Sequence, residues 1–185
     1  MGGVIQDPAT GDFYGVTHYG GANPHGVIYR LTPTGGFSVL HSFRLSDGVN
    51  PSFGLLMASD HKLYGVAPQG GANGQGTIYC CDTSGNFSVL HSFTFAEGQQ
   101  PVGALIQATD GRLYGVAEYG GARNRGSIYR VDLSGAFTSL VSFHGPDGQH
   151  PCDGLLQASD GNIYGTTRGG GAYGYGEVFK LVPPP

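Results

Sequence analysis

The sequence predicts an all-β fold: a β-propeller of about four 50-residue, four-stranded blades, the last without its outer strand. Three observations predict it. The first is a repeat that does not slip. Tyr14-Gly15 returns as Tyr64-Gly65, Tyr114-Gly115 and Tyr164-Gly165, 50 residues later each time. Gly20-Gly21-Ala22 keeps that step through Gly70, Gly120 and Gly170, and Gly48 and Pro51 return as Gly98 and Pro101, then as Gly148 and Pro151. A period near 50 belongs to stacked architectures such as propellers. The second is punctuation. No segment holds a 3.6-residue apolar period, and Gly or Pro interrupts the chain about every ten residues. The third is apolar character on both faces of the strands. Ile28 and Tyr29 are sequence neighbours, so they face opposite sides of a strand, and the pair returns as Ile78-Tyr79, Ile128-Tyr129 and Val178-Phe179. Such a sheet needs cover on both faces. Sheets packed face to face around an axis provide it, whereas a two-sheet sandwich leaves its outer faces wet.

Each unit reads as four short strands. The first is of the Leu55-Leu56-Met57-Ala58 type. A tight turn follows, with the Asp-Gly hairpin signal at Asp110-Gly111 and Asp160-Gly161. The first unit carries one extra residue here, near Asp7-Pro8. The second strand spans 112–117, a Gly-rich loop of about eight residues comes next, and the third strand spans 126–131. A turn ending in Ser-Gly leads to the fourth, at 137–143. The expected organisation is one repeat domain over residues 1–185, with blades at about 3–53, 54–103, 104–153 and 154–182 and a proline tail at 183–185. With propeller strand order, the loops between second and third strands share an end with the loops that join consecutive units. The count suits a closed four-bladed ring, and equally half of a larger ring completed by a second chain.

Composition excludes several functional classes. Hydrophobic residues make up 39% of the chain, enough for a core, so disorder is not expected. The 35 glycines follow no G-X-Y period, which excludes collagen. Charged residues are 12% with net charge −4, and no basic block is present to neutralise a phosphate backbone; nucleic acid is not an expected partner. No apolar run approaches the roughly 20 residues of a membrane helix, and the N-terminus has no basic, apolar leader pattern. Cys80, Cys81 and Cys152 have neither disulfide-framework nor zinc spacing. Cys81 reads as core and Cys80, on the opposite face, as a partly exposed thiol.

The candidate site lies on the loop-bearing end. Gly and Pro recur in these loops and set backbone shape, while the residues between them vary. The varied set includes His18, Tyr19, His25, Gln75, Tyr119, Arg123, Arg125, Arg168, Tyr173 and Tyr175 from the loops between second and third strands. Asn50, Gln100 and His150 share one position in the loops between units. Tyr rings suit the apolar faces of sugars or peptides, and amides, imidazoles and guanidiniums suit their polar groups. The plain alternative is that loop tips are polar wherever they are found. No metal site is expected, because the histidines have no ligand spacing of the H-x-H or H-E-x-x-H kind. No cofactor is expected either: the G-x-G-x-x-G match at 169–174 leads into a strand, without the helix N-terminus that phosphate binding uses. Asp47, Glu97 and Asp147 share one repeat position and read as turn caps. His41 and His91, replaced by Val141 in the third unit, read as packing residues.

The unit that begins at Gly154, with Ile163-Tyr164-Gly165, then Gly170-Gly171-Ala172, then Val178-Phe179-Lys180-Leu181, resembles the GloVer tandem repeat. In the other units Phe-x-x-Leu-x-Ser-Phe and Asp/Glu-Gly-x-x-Pro complete the likeness, which covers essentially the whole chain. The resemblance implies propeller-like repeats in a bacterial secreted or surface-anchored protein, and it carries no catalytic residues. The expected function is therefore a non-catalytic extracellular binding or structural module that recognises glycan or protein through the loop face. The competing readings are a polysaccharide-acting enzyme, with His and Tyr or Arg from different blades around the axis and joint replacement of His18, His25 and His150 as its test, and a self-associating part of a larger ring.

Overall fold

The computed structural model describes residues 3–184; Met1, Gly2 and Pro185, at the ends of the leader and proline-tail readings, lie outside the described residues. Among the described residues there are sixteen strands and no helix. The first antiparallel sheet is β1 (Ile5–Gln6), β2 (Phe13–Thr17), β3 (Val27–Leu31) and β4 (Phe37–Ser42), in chain order. The second is β5 (Leu56–Met57), β6 (Leu63–Ala67), β7 (Thr77–Cys81) and β8 (Phe87–Ser92). The third is β9 (Gln99–Gln107), β10 (Leu113–Tyr119), β11 (Ser127–Val131) and β12 (Phe137–Ser142). In the fourth, β15 (Ile163–Gly169) pairs with β13 (Gln149–Pro151) and β14 (Leu156–Gln157), and also with β16 (Val178–Leu181). These are four-stranded propeller blades, and among the described residues the last has no counterpart of β4, β8 or β12. The chain divides into two compact units, residues 1–92 and 93–185, each with two sheets.

The recurring Tyr-Gly dipeptide has a packing cause. On β2, β6 and β10 the tyrosine enters a core and is essentially inaccessible. The glycine faces the other way, under the aromatic ring of the paired strand: Tyr29, Tyr79, Tyr129 and Phe179 in turn. A Cβ at Gly15 would stand 2.5 Å from the Tyr29 hydroxyl. The dipeptide recurs because one sheet face needs a large ring and the other needs no side chain.

The hairpins between first and second strands follow one rule with one exception. Asp60, Asp110 and Asp160 each accept a hydrogen bond, at 2.8 Å, from the hydroxyl of Tyr64, Tyr114 and Tyr164. In the first sheet Ile5 pairs with Tyr14, where Leu56 pairs with Tyr64, so the extra residue is absorbed in the turn. There Asp7 accepts hydrogen bonds from the Ala9 amide and the Thr10 hydroxyl, and Asp12 forms a 2.6 Å ion pair with Arg30.

Each unit has its own apolar core. In residues 1–92, Tyr14, Ile28 and Phe43 pack with Leu55, Leu63, Tyr79 and Cys81. Phe43 meets Tyr79 edge-on at 5.0 Å, and His41 stacks on Phe87 at 3.7 Å. In residues 93–185 the same roles fall to Phe93 on Tyr129, at 5.0 Å, and Phe143 on Phe179, at 5.4 Å. His41 is a packing residue, as its repeat position suggested; burial lowers its pKa against the pull of Asp47.

Two readings need correction. Cys80 is not partly exposed. All five residues of β7 are buried, Cys80 at 6% exposure, because both faces of this strand are covered; burial pushes its thiol pKa up. The segment leading into the third sheet is not wholly loop. β9 begins at Gln99 and runs through Pro101 as one nine-residue strand, with a register irregularity between Tyr114 and Val116 of its partner. In the fourth sheet the same path is split into β13 and β14.

Candidate functional site

The loops gather as expected within each unit. In residues 1–92 the segment that joins the two sheets is hydrogen-bonded to loops on both sides. The Asn50 amide donates to the His25 carbonyl (2.9 Å), the Val49 amide to the Gln69 carbonyl (2.8 Å), and the Gly71 amide to the Leu45 carbonyl (2.9 Å). In residues 93–185 the His150 amide donates to the Arg125 carbonyl (2.8 Å) and the Gly171 amide to the Gly145 carbonyl (2.7 Å). Gly48 shows why the repeated glycine is needed: its φ is +128°, and a Cβ there would lie 2.7 Å from the Thr77 hydroxyl. The repeated carboxylates cap these turns. Asp47 accepts from the Arg44 amide, Glu97 from the Thr94 amide and hydroxyl, and Asp147 from the His144 amide. Burial alone would raise the Asp147 pKa, but the hydrogen bonds from His144 outweigh it and hold the group below the usual carboxylate value.

The shared position between units has an unusual backbone. Asn50, Gln100 and His150 have φ of 60°, 54° and 56°, in the left-handed region that non-glycine residues seldom occupy. Gln100 and His150 lie on β9 and β13. Asn and His are among the residues that tolerate this conformation, whereas Gln adopts it only where the surroundings impose it.

Around two of these residues the structure assembles polar and aromatic groups. In residues 1–92, His18 Nδ1 lies 2.9 Å from the Ser52 hydroxyl, Ser52 donates to the Asn50 carbonyl, and the His18 and Tyr19 rings meet edge-on at 4.3 Å. Asn50 is bonded to His25, so His18, Tyr19, His25 and Asn50 form one group. In residues 93–185, His150 lies 4.9 Å from the Tyr119 ring, and its Nδ1 is 3.1 Å from the Glu118 carbonyl. The Glu118 carboxylate pairs with Arg168 at 3.1 Å, and the Arg125 guanidinium donates to the Gln149 side chain. Tyr119, Arg125, His150 and Arg168 therefore form a second group, joined by Glu118, itself one of the varied loop residues, and by Gln149, which sequence reasoning passed over. Gln75 stands outside the first group: its amide nitrogen donates to the Asn73 carbonyl, and its Oε1 is buried without a partner among the described residues. Arg123 is exposed and forms no ion pair or hydrogen bond among the described residues. Tyr19, Tyr173 and Tyr175 expose 69%, 89% and 90% of their surface.

The sequence also passed over a cavity at the hairpin end. It measures about 390 Å³ and lies among Ile5, Gln6, Pro8, Leu55, Met57 and His61. His61 stands where the other hairpins have Gly11, Gly111 and Gly161, and it takes their left-handed conformation with φ of 59°. A histidine at a turn position otherwise held by glycine was the available signal. Among the described residues no three His, Cys, Asp or Glu side chains form a metal-binding group, and no helix is long and apolar enough to cross a membrane.

Solved structures share the fold. An extracellular domain of a two-component system from B. thetaiotaomicron aligns with TM-score 0.61 at 14% identity, over 90% of this chain and 20% of that one. The periplasmic gluconolactonase of Pseudomonas aeruginosa aligns with TM-score 0.54 at 15% identity, over 97% of this chain and 57% of that one. A Xanthomonas campestris gluconolactonase aligns with TM-score 0.53 at 13% identity, over 100% of this chain and 76% of that one. The chain thus spans less than two-thirds of two of these three proteins. No curated protein matches the sequence. The Gloeobacter/Verrucomicrobia repeat matches residues 1–184, in agreement with the repeat read from the Tyr-Gly and Gly-Gly-Ala steps, and the chain belongs to that family.

Proposed function

We propose that the chain is a non-catalytic extracellular binding module that recognises glycans through its loop face. The observation that carries this reading is the exposure of Tyr173 and Tyr175, at 89% and 90%, on the loop between β15 and β16. Exposed tyrosine faces suit the C–H faces of a sugar, and fixed polar groups suit its hydroxyls. The group around His150 supplies such polar atoms, held by a constrained backbone. An extracellular or surface location is supported by neighbours of the same fold named as extracellular or periplasmic.

A glycan array probed with the intact chain, followed by titration of the best ligand, tests the reading. Replacing Tyr173 and Tyr175 together by Ala should lower affinity at least tenfold, which is about 1.4 kcal/mol. Retained affinity in that variant would remove the loop face as the site. A second reading is favoured by His150, whose Nδ1 lies 3.1 Å from the backbone carbonyl of Glu118 and whose ring stands beside that of Tyr119. An imidazole on the loop end could act as general base in hydrolysis of a sugar derivative. Turnover of a sugar lactone that is lost in His150→Ala would establish this second reading in place of the first.

A further inference from the structure

Within residues 93–185 two positions depart from the repeat together, and their residues touch. Arg125 stands where the other copies have His25, Gln75 and Tyr175, and Gly145 where they have Leu45 and Phe95. The guanidinium lies over the glycine. A Cβ at residue 145 would stand 2.5 Å from Arg125 Nη1 and 3.1 Å from its Cζ, so a leucine or phenylalanine there would displace it. The loop is rebuilt to match. In the earlier copies the Gly48 and Gly98 amides donate to the carbonyls of Arg44 and Thr94, whereas Gly145 and Gly148 exchange two amide hydrogen bonds, each of 3.1 Å. The guanidinium also donates to the Gln149 side chain, which packs in turn against Gly169.

The guanidinium so held carries a charge that nothing nearby neutralises. Arg125 is half-buried, yet its acceptor is a neutral amide, and it forms no ion pair among the described residues. The carboxylates of the neighbouring loops are engaged elsewhere: Glu118 with Arg168, Asp147 with the amide and ring of His144, and Glu177 with the Ala172 amide. A guanidinium has five N–H donors, and one of those on Arg125 is used on Gln149. A partly desolvated cation is ordinarily paired, and the parallel donors of a guanidinium fit an anion that offers two oxygens. The same glycine ties this cation to the tyrosine loop. The Gly145 carbonyl accepts from the Gly171 amide at 2.7 Å, at the root of the loop that carries Tyr173 and Tyr175.

We propose that the glycan recognised by the loop face is an acidic one, and that Arg125 binds its charged group, the carboxylate of a uronic acid or a sulfate ester. This rests on the glycan reading of the same face. The Arg125 fork takes two oxygens of the anion, Gln149 positions the fork, and the tyrosine rings supply apolar surface to the sugar. The chain as a whole carries a net charge of −4, which repels polyanions, so the preference for an acidic sugar depends on this local cation.

Titration calorimetry of the intact chain with two matched pairs of probes tests the inference: an oligogalacturonate against its methyl ester, and a sulfated galactan oligosaccharide against its desulfated form. In one pair the acidic member should bind roughly tenfold tighter than the neutral one, the worth of a hydrogen-bonded charge. The pair that shows the difference identifies the anion. Arg125→Gln, with folding checked by far-UV circular dichroism, should bring that ratio close to one, and Arg125→Lys, which keeps the charge without the fork, should restore part of it. If Arg125→Gln fails to fold, Arg125→His places the residue of the first copy there, and at pH 8 it is uncharged, above the usual imidazole pKa of about 6.5. Equal affinity for acidic and neutral members of both pairs overturns the inference and leaves the glycan reading standing. Absence of binding to every sugar overturns both. A ratio that survives in folded Arg125→Gln overturns the role of Arg125.

Discussion

The β-carbon that glycine lacks is the smallest feature with a structural consequence here. At Gly115 the ring of Tyr129 and a methyl of Leu105 fill the space a side chain would need. Gly115→Ala should lower the unfolding free energy in urea by about 1–3 kcal/mol, the usual cost of overpacking a closed core. Gly111, with open space around it but φ of +78°, should respond to Ala more weakly, through backbone strain alone. Cysteine gives a second test at this scale. Burial pushes the Cys80 thiol up, and burial followed by the nearby Asp82 pushes Cys81 to about 12, while Cys152 is only half-buried. Since the thiolate is the reacting species, a thiol reagent at mildly alkaline pH should modify Cys152 first and the other two only on unfolding. Mass spectrometry after timed labelling reads this directly. The burial of Cys81 was legible from its place among Leu31, Val131 and Leu181. That of Cys80 was not, because its repeat partners Arg30, Arg130 and Lys180 are polar, and a strand position reports its face without reporting what covers that face.

At the scale of the element, the hairpins join the charge of one residue to the stability of a sheet. Tyr114 is fully buried and donates to Asp110. Asp110→Ala strands that hydroxyl and should cost about 1–3 kcal/mol, the desolvation penalty of a buried unpaired group. Burial, and after it the hydrogen bond to Asp60, raises the pKa of Tyr64; Tyr114 is raised by burial and then by Asp110. A raised tyrosine contributes stability that is whole below its unfolded value of 10.0 and is lost as pH climbs toward the folded value. Chemical denaturation should therefore show a stability that declines steeply above pH 10. An unchanged midpoint from pH 9 to 11 would contradict the burial of these hydroxyls. The hairpins themselves were legible, because Asp-Gly between alternating strands admits few other structures. The continuity of β9 was not, since Gly98, Pro101 and Gly103 are loop residues by propensity, and it is pairing with β10 that draws Gln99–Pro101 into a strand.

For the whole molecule, the chain divides into two compact units, residues 1–92 and 93–185, each with its own core, and the glycan reading belongs at this scale because it draws on loops that the blades only carry. Replacing Tyr173 and Tyr175 by Ala changes exposed loop side chains, so the variant should lose glycan affinity and keep the native far-UV circular dichroism. Loss of that spectrum would make the effect one of folding and not of recognition.

Sequence alone determined the class of this protein: an all-β chain of 50-residue propeller blades. It could do so because a blade is a local object. Its strands are consecutive, its turns are set by Gly, Pro and Asp, and its register is pinned by which side chains must face inward. Tertiary structure decided the rest. It brought Tyr119, Arg125 and His150 together across two loops, set Asn50, Gln100 and His150 in a left-handed backbone, and buried Cys80. These outcomes rest on contacts between residues tens of positions apart. Identical repeat positions acquire different surroundings according to which blade lies beside them, and a repeat records the position without recording the neighbour.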